Sequence, residues 1–138
     1  MEPHLTVITL AVDDLERAMR FYRDGLGMPT EGIVGEEFEN GAVVFFRLQG
    51  GLTLALWPRT SLALDTGLKI AAPTGPAVSL GHNVSSRQAV DEIMNRAEAA
   101  GAQVIKAPRP TFYGGYAGCF QDPDGHLWEI VFNPGIPG

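Results

Sequence analysis

Asp122-Pro123-Asp124-Gly125-His126-Leu127-Trp128-Glu129-Ile130-Val131-Phe132 runs from turn chemistry straight into a strand. Proline presets φ and the Asp-Gly pair accepts a left-handed residue, so 122–125 reads as a tight turn. The apolar run Leu127–Phe132 that follows reads as a strand, and Glu129 is the one carboxylate inside it. A charge in the middle of such a run is either a structural mismatch or a working group facing a cavity.

Working outward, the halves of the chain echo each other. Val7–Val12 reads as a strand and is followed by Asp13, Asp14 and a helical stretch to Leu26-Gly27. Asp13 with Glu16 three residues on predicts a capping box, and Gly27 predicts the stop. Val78–Val84 reads as the matching strand, with Ser85 as helix cap, Gln88 at the box position and Gly101 as the stop. Strand-like segments follow each helix: Pro29–Val34, Ala42–Leu48 and Leu52–Trp57, then Gln103–Lys106, Tyr116–Gln121 and Leu127–Phe132. The order is β-α-β-β-β, twice, which is an α+β class and suits a pseudo-symmetric domain better than a solenoid. We read one domain over 1–138, with module 1 at about 5–58, a connector at about 59–77 holding one helical turn near Leu62–Leu64, and module 2 at about 78–134. The segment Ala107–Gly115 reads as a long loop, either a flap that covers a ligand or a surface loop packing back on the fold.

A length of 138 residues suffices for one core, and 17 glycines with 10 prolines suit strands joined by turns. The net charge of −6 argues against nucleic acid or an anionic membrane as partner and mildly favours neutral or cationic ligands. No apolar run has the length of a membrane span and no signal-peptide pattern opens the chain, so a cytoplasmic location is expected. The single Cys119 excludes an intrachain disulfide and reads as a small buried thiol.

Leu10-Ala11-Val12-Asp13-Asp14-Leu15-Glu16-Arg17-Ala18 leading to Phe21-Tyr22, then Gly25-Leu26-Gly27-Met28, and Asp122–Gly125 leading to Glu129 together resemble the vicinal oxygen chelate superfamily. That superfamily includes glyoxalase I, bleomycin-resistance proteins and extradiol dioxygenases. The resemblance implies two βαβββ modules whose mixed sheets curl into an open barrel around a shared cavity, and a homodimer. It also implies a divalent metal held by one side chain from the first and one from the last strand of each module. By position those four residues are Val7, Ala55, Ser79 and Glu129. Valine and alanine have no lone pair to donate and serine is a poor ligand, so no metal site and no cofactor are expected. His4, His82 and His126 offer no rescue: the first and last flank strands, and His82 is an odd number of residues from Ser79, on the opposite face.

Strand alternation gives the cavity lining that the resemblance calls for. Val7, Thr9 and Ala11 share a face, as do Thr53, Ala55 and Trp57, then Ser79, Gly81 and Asn83, and finally Leu127, Glu129 and Val131. The candidate ligand-binding residues are Val7, Thr9, Ala55, Trp57, Ser79, Asn83, Phe112, Tyr113, Tyr116 and Glu129, with Phe46 as a further aromatic wall and Glu129 as the only charge. Apolar surroundings favour the neutral form of a carboxyl group, which would suit Glu129 to general acid–base work or to accepting a ligand hydrogen bond. Three functions follow from the resemblance. One is a small-molecule-binding protein of the bleomycin-resistance type, taking a hydrophobic or cationic molecule. Another is a glyoxalase-type lyase or isomerase with Glu129 as catalytic base. The third is a metal-dependent lyase or dioxygenase with ligands elsewhere in the chain.

Overall fold

In the computed structural model the described residues are 1–72 and 74–136; Pro73 of the connector, and Pro137 and Gly138 at the end of the domain read over 1–138, lie outside them. The chain divides into two units, Met1–Ala72 and Pro73–Gly138.

In the first unit, β1 (Val7–Val12) leads into α1 (Leu15–Arg20), then β2 (Ile33–Val34), β3 (Val43–Arg47), β4 (Thr53–Pro58) and α2 (Arg59–Thr66). The sheet order is β1-β4-β3-β2, with β1 parallel to β4 and the other pairs antiparallel. In the second unit, β5 (Ser79–Val84), α3 (Arg87–Ala99), β6 (Gln103–Pro110), β7 (Tyr116–Gln121) and β8 (Leu127–Phe132) give the order β5-β8-β7-β6, again with one parallel pair, β5 with β8. The βαβββ repeat and the α+β class are therefore present. Each sheet is an open four-stranded one with two edge strands, not closed into a barrel.

Alternation along the strands sorts residues between two faces. In the first unit Leu10, Val12, Val44, Phe46, Leu54 and Leu56 are buried with Ala18, Met19, Phe21 and Tyr22 of the helical segment. The helix does not run on regularly to Leu26. After Arg20 it widens over Phe21–Gly25, and the Leu26 amide donates to the Phe21 carbonyl five residues back at 3.0 Å. The wide turn lets the adjacent Phe21 and Tyr22 both turn inward, edge to face at 4.9 Å, with Tyr22 also against Phe46 at 5.9 Å. Gly27 follows with φ of 75°, as a stop requires.

The helix caps stand one residue beyond those predicted. Asp14, not Asp13, caps α1 by accepting from the Arg17 amide at 3.1 Å. Asp13 instead meets Arg59 at 2.9 Å. Ser86, not Ser85, caps α3 and accepts from the Ala89 amide at 3.0 Å. The cap must be the last extended residue before the helix, and Asp14 and Ser86 still have extended backbone. The connector holds eight helical residues rather than one turn, closed by Gly67 at φ of 75°.

In the second unit α3 buries Val90, Met94 and Ala97 at helical spacing, against Phe120 and Ile130 of the sheet. The turn at 122–126 forms as read. Asp122 Oδ1 accepts from the amides of Asp124 and His126 at 3.0 and 2.8 Å, and Gly125 has φ of 89°. Among the described residues no helix is long and apolar enough to cross a membrane.

Candidate functional site

The sheet faces turned away from the helices carry the candidate site, one in each unit. In the first, register sets Thr9 beside Ala55 and Ala55 beside Phe45, while Val7 stands beside Thr53. Val7, Thr9, Val43, Phe45, Ala55 and Trp57 line a concavity of about 280 Å³ together with Asn40 and Gly41. The Trp57 indole N–H donates to the Asn40 carbonyl at 3.0 Å, so the loop before β3 is tied to the wall. That loop turns back at Gly35, where φ is 80° and a Cβ would meet the Gly41 carbonyl at 2.3 Å. An adjoining concavity of about 500 Å³ shares Val7 and Phe45 and adds Thr30, Glu31, Val34, Arg47 and Thr53. Thr30 holds its rim by donating to the Phe45 carbonyl at 2.7 Å.

In the second unit the same register places Gly81 beside Glu129 and Glu129 beside Cys119. Glu129 thus stands in its sheet where Ala55 stands in the first, and Cys119 where Phe45 stands. A concavity of about 340 Å³ is lined by Glu129, Cys119, Ala117, Lys106, Arg109 and the hairpin tip Pro110–Tyr113. Cys119 is half-buried. Burial pushes its thiol pKa up, the Glu129 charge adds to this, and Lys106 opposes it. The sulfur is therefore held as the neutral thiol, a poor nucleophile.

Of the sequence-predicted residues, Val7, Thr9, Ala55 and Trp57 come together in the first unit, and Phe112, Tyr113 and Glu129 in the second. Ser79 and Asn83 share the sheet face of Glu129 by register but do not line the 340 Å³ concavity. Tyr116 belongs to the other face. Its hydroxyl donates to Asp91 of α3 at 2.7 Å, which pushes its pKa up, and Arg87 lies 6.0 Å from its ring. Phe46 is likewise core, and Phe45 is the wall in its place.

Three further expectations are corrected. Glu129 is exposed in the chain rather than enclosed by apolar walls. It is not the only charge, since Lys106 and Arg109 share its concavity and Glu31 and Arg47 line one in the first unit. The loop is shorter than 107–115: β6 runs on to Pro110, and the turn at 111–115 closes with the Thr111 amide donating to the Gly115 carbonyl at 3.0 Å. Phe112 at its tip is fully exposed and meets Tyr113 edge to face at 5.2 Å.

The donor set does not fit the metal that the resemblance implies. The strand residues on the concave face of the first unit, from Val7 to Trp57, include no carboxylate, imidazole or thiol. Within each unit, the described residues hold no cluster of three His, Cys, Asp or Glu side chains able to grip an ion.

Residues 4–130 match the family model of the Glyoxalase/Bleomycin resistance protein/Dioxygenase superfamily. The chain is 31% identical to the uncharacterized protein PA2024 of Pseudomonas aeruginosa, over 96% of this chain and 90% of that one. Among solved structures it is similar to a glyoxalase-related enzyme from Fulvimarina pelagi, with a TM-score of 0.82 and 36% identity, covering 96% of this chain and 89% of that one. The lactoylglutathione lyase of Agrobacterium tumefaciens shares the fold, with a TM-score of 0.63 and 24% identity over 94% and 93% of the two chains. On the repeated βαβββ units and these likenesses, the chain belongs to the glyoxalase/bleomycin resistance protein/dioxygenase superfamily.

Proposed function

We propose that the protein binds a small molecule on the concave sheet faces, without a metal at the four family positions. The observation that carries this reading is the floor of the first unit. Val7 and Ala55 occupy two of those positions and, with Phe45 and Trp57, make an apolar wall where ligating side chains would stand. Concavities of a few hundred Å³ with apolar walls and a few polar groups suit small ligands. Trp57 and Phe45 offer ring faces to an aromatic or cationic group. The protomer is expected to pair with a second copy, which light scattering checks.

The test is elemental analysis of protein purified without added metal, followed by a thermal-shift screen of neutral and cationic aromatic compounds. The expected result is no stoichiometric metal and a rise in Tm with some compounds. Stoichiometric Ni, Zn, Fe or Mn would instead establish the metal-dependent reading.

A glyoxalase-type proton transfer is the second reading. It is favoured by the exposure of the Glu129 carboxylate at a concavity that also holds Lys106. A side chain open to a bound molecule can reach its proton, which a buried one cannot. Turnover of 2-oxoaldehyde–thiol adducts that is abolished by Glu129→Gln would establish it.

A further inference from the structure

Strand β6 departs from regular pairing twice. Val104 stands opposite Phe120, Lys106 opposite Cys119 and Arg109 opposite Ala117. The first step uses two residues of β6 against one of β7, and the second uses three against two. Residues three apart in a regular strand point to opposite faces. The bulge between Lys106 and Arg109 cancels that rule and turns both side chains to one face, that of Cys119 and Ala117. Both then line the concavity that holds Glu129. Among the described residues, neither Lys106, Arg109 nor Glu129 takes part in an ion pair. The fold thus gathers two cations and a carboxylate into one hollow and leaves their charges unspent on each other.

We propose that this hollow binds a small aryl-bearing carboxylic acid with a hydroxyl or amino group beside the acid, Arg109 and Lys106 taking the carboxylate and Glu129 accepting from the donor. The proposal rests on the small-molecule-binding reading above and assigns the ligand class of the second unit. A guanidinium matches a carboxylate with two parallel hydrogen bonds, and an ammonium adds a charge-assisted third. Glu129 has only acceptors when ionised, so it selects a ligand that donates. Phe112 and Tyr113, edge to face at the hairpin tip, supply the wall for an aryl group. The preference for an acid runs against the net charge of the chain, and the wall of the hollow is what decides it.

Isothermal titration calorimetry with four probes tests the assignment: phenyllactate, phenylalanine, phenylpropionate and phenylpropanediol. Phenyllactate or phenylalanine should bind most tightly, and the diol, which lacks the acid, at least about tenfold more weakly. Lys106→Gln and Arg109→Gln should each weaken the acids about tenfold, a loss of about 1.4 kcal/mol. Lys69→Gln, which removes an exposed charge in the other unit, should leave binding unchanged. Glu129→Gln should weaken the hydroxy or amino acid and spare phenylpropionate. Lys106, Arg109 and Glu129 are exposed, so an unchanged Tm certifies each variant as folded. Equal binding of diol and acids, or wild-type affinity in the Lys106→Gln/Arg109→Gln double variant, overturns the assignment. If none of the four probes binds while the neutral or cationic panel raises Tm, the acid class is overturned and small-molecule binding stands. If neither set acts, both readings fall.

Discussion

Phe45 and Phe46 are neighbours in β3 with opposite fates, and substituting each with alanine separates fold from site. Phe46 is 1% exposed, packed on Tyr22 and beside Leu54 in the register; Phe45 is 45% exposed and lines both concavities of the first unit. Removing a fully buried phenylalanine costs roughly 3–5 kcal/mol, the lost transfer free energy plus the cavity left behind. The edge-to-face contact with Tyr22 places Phe46→Ala toward the upper part of that range. About half of the Phe45 side chain is already in water and no packed cavity opens on its loss, so Phe45→Ala should cost about 1 kcal/mol or less. Urea denaturation monitored by circular dichroism measures both. At roughly 3 °C per kcal/mol for a chain of this size, Phe46→Ala should also lower Tm by about 10–15 °C and Phe45→Ala by no more than about 3 °C. Ligand-induced stabilisation should show the reverse order, lost in Phe45→Ala and kept in Phe46→Ala below its lowered Tm. Equal destabilisation by the two variants would refute the assignment of faces, and with it every residue placed on the concave side of that sheet by register.

Three further outcomes follow from the geometry. Ser86→Ala should destabilise by about 1 kcal/mol through loss of its bond to the Ala89 amide, while Ser85→Ala should stay within about 0.5 kcal/mol, both measured by urea denaturation. The hydrogen bond from Arg59 lowers the Asp13 pKa below its unfolded value, so its contribution is present at neutral pH and is lost as pH falls through the depressed folded value. Because the Asp13 side chain is largely exposed, the contribution should be below about 1 kcal/mol, and the stability gap between wild type and Asp13→Asn should hold at neutral pH and narrow as pH falls below the ordinary aspartate pKa of about 3.9. Alkylation of Cys119 by iodoacetamide should run slower than that of a free cysteine at neutral pH, because burial and the Glu129 charge both favour the thiol, and Glu129→Gln should speed it.

Much of the fold was legible because its signals are local. Turn residues at 122–125, helix stops at Gly27 and Gly101, and the repeated strand–helix order each rest on a few adjacent residues, and β1, β7 and β8 fall where their apolar runs stand. The faces of β1, β4 and β8 followed from simple alternation: Leu54 and Leu56 are core, and Thr53, Ala55 and Trp57 line the hollows. What was missed depends on strand partners. Val43-Val44-Phe45-Phe46-Arg47 is apolar at both parities except for Arg47, so its period is masked; reading Arg47 as outward would have set Phe45 beside it and Phe46 inside. Tyr116 passed for a cavity wall because aromatic character says nothing of face, whereas its parity with the buried Phe120 places it toward α3. The bulges in β6 left no local mark, since they exist only as a mismatch in count against β7.

That mismatch also explains why the ligand class read from composition and the one read from the hollow differ. A net charge of −6 favours cations only for a partner that senses the whole surface. Two unit charges about 12 Å apart in salty water interact by about 0.1 kcal/mol once screening over a Debye length of about 8 Å is applied. At about 4 Å the interaction is about 1 kcal/mol in water and about 4 kcal/mol at an effective dielectric near 20. A bound acid in contact with Lys106 and Arg109 therefore feels those two cations and Glu129 far more than the scattered carboxylates elsewhere. The bulge that brings Lys106 and Arg109 to one face outweighs the acidity of the chain, and restoring regular pairing by inserting one uncharged residue in β7 between Ala117 and Cys119, three residues against three, should send the two cations to opposite faces and abolish acid binding while leaving net charge unchanged. An insertion variant that folds and still binds phenyllactate would show that the face-turning role given to the bulge is wrong.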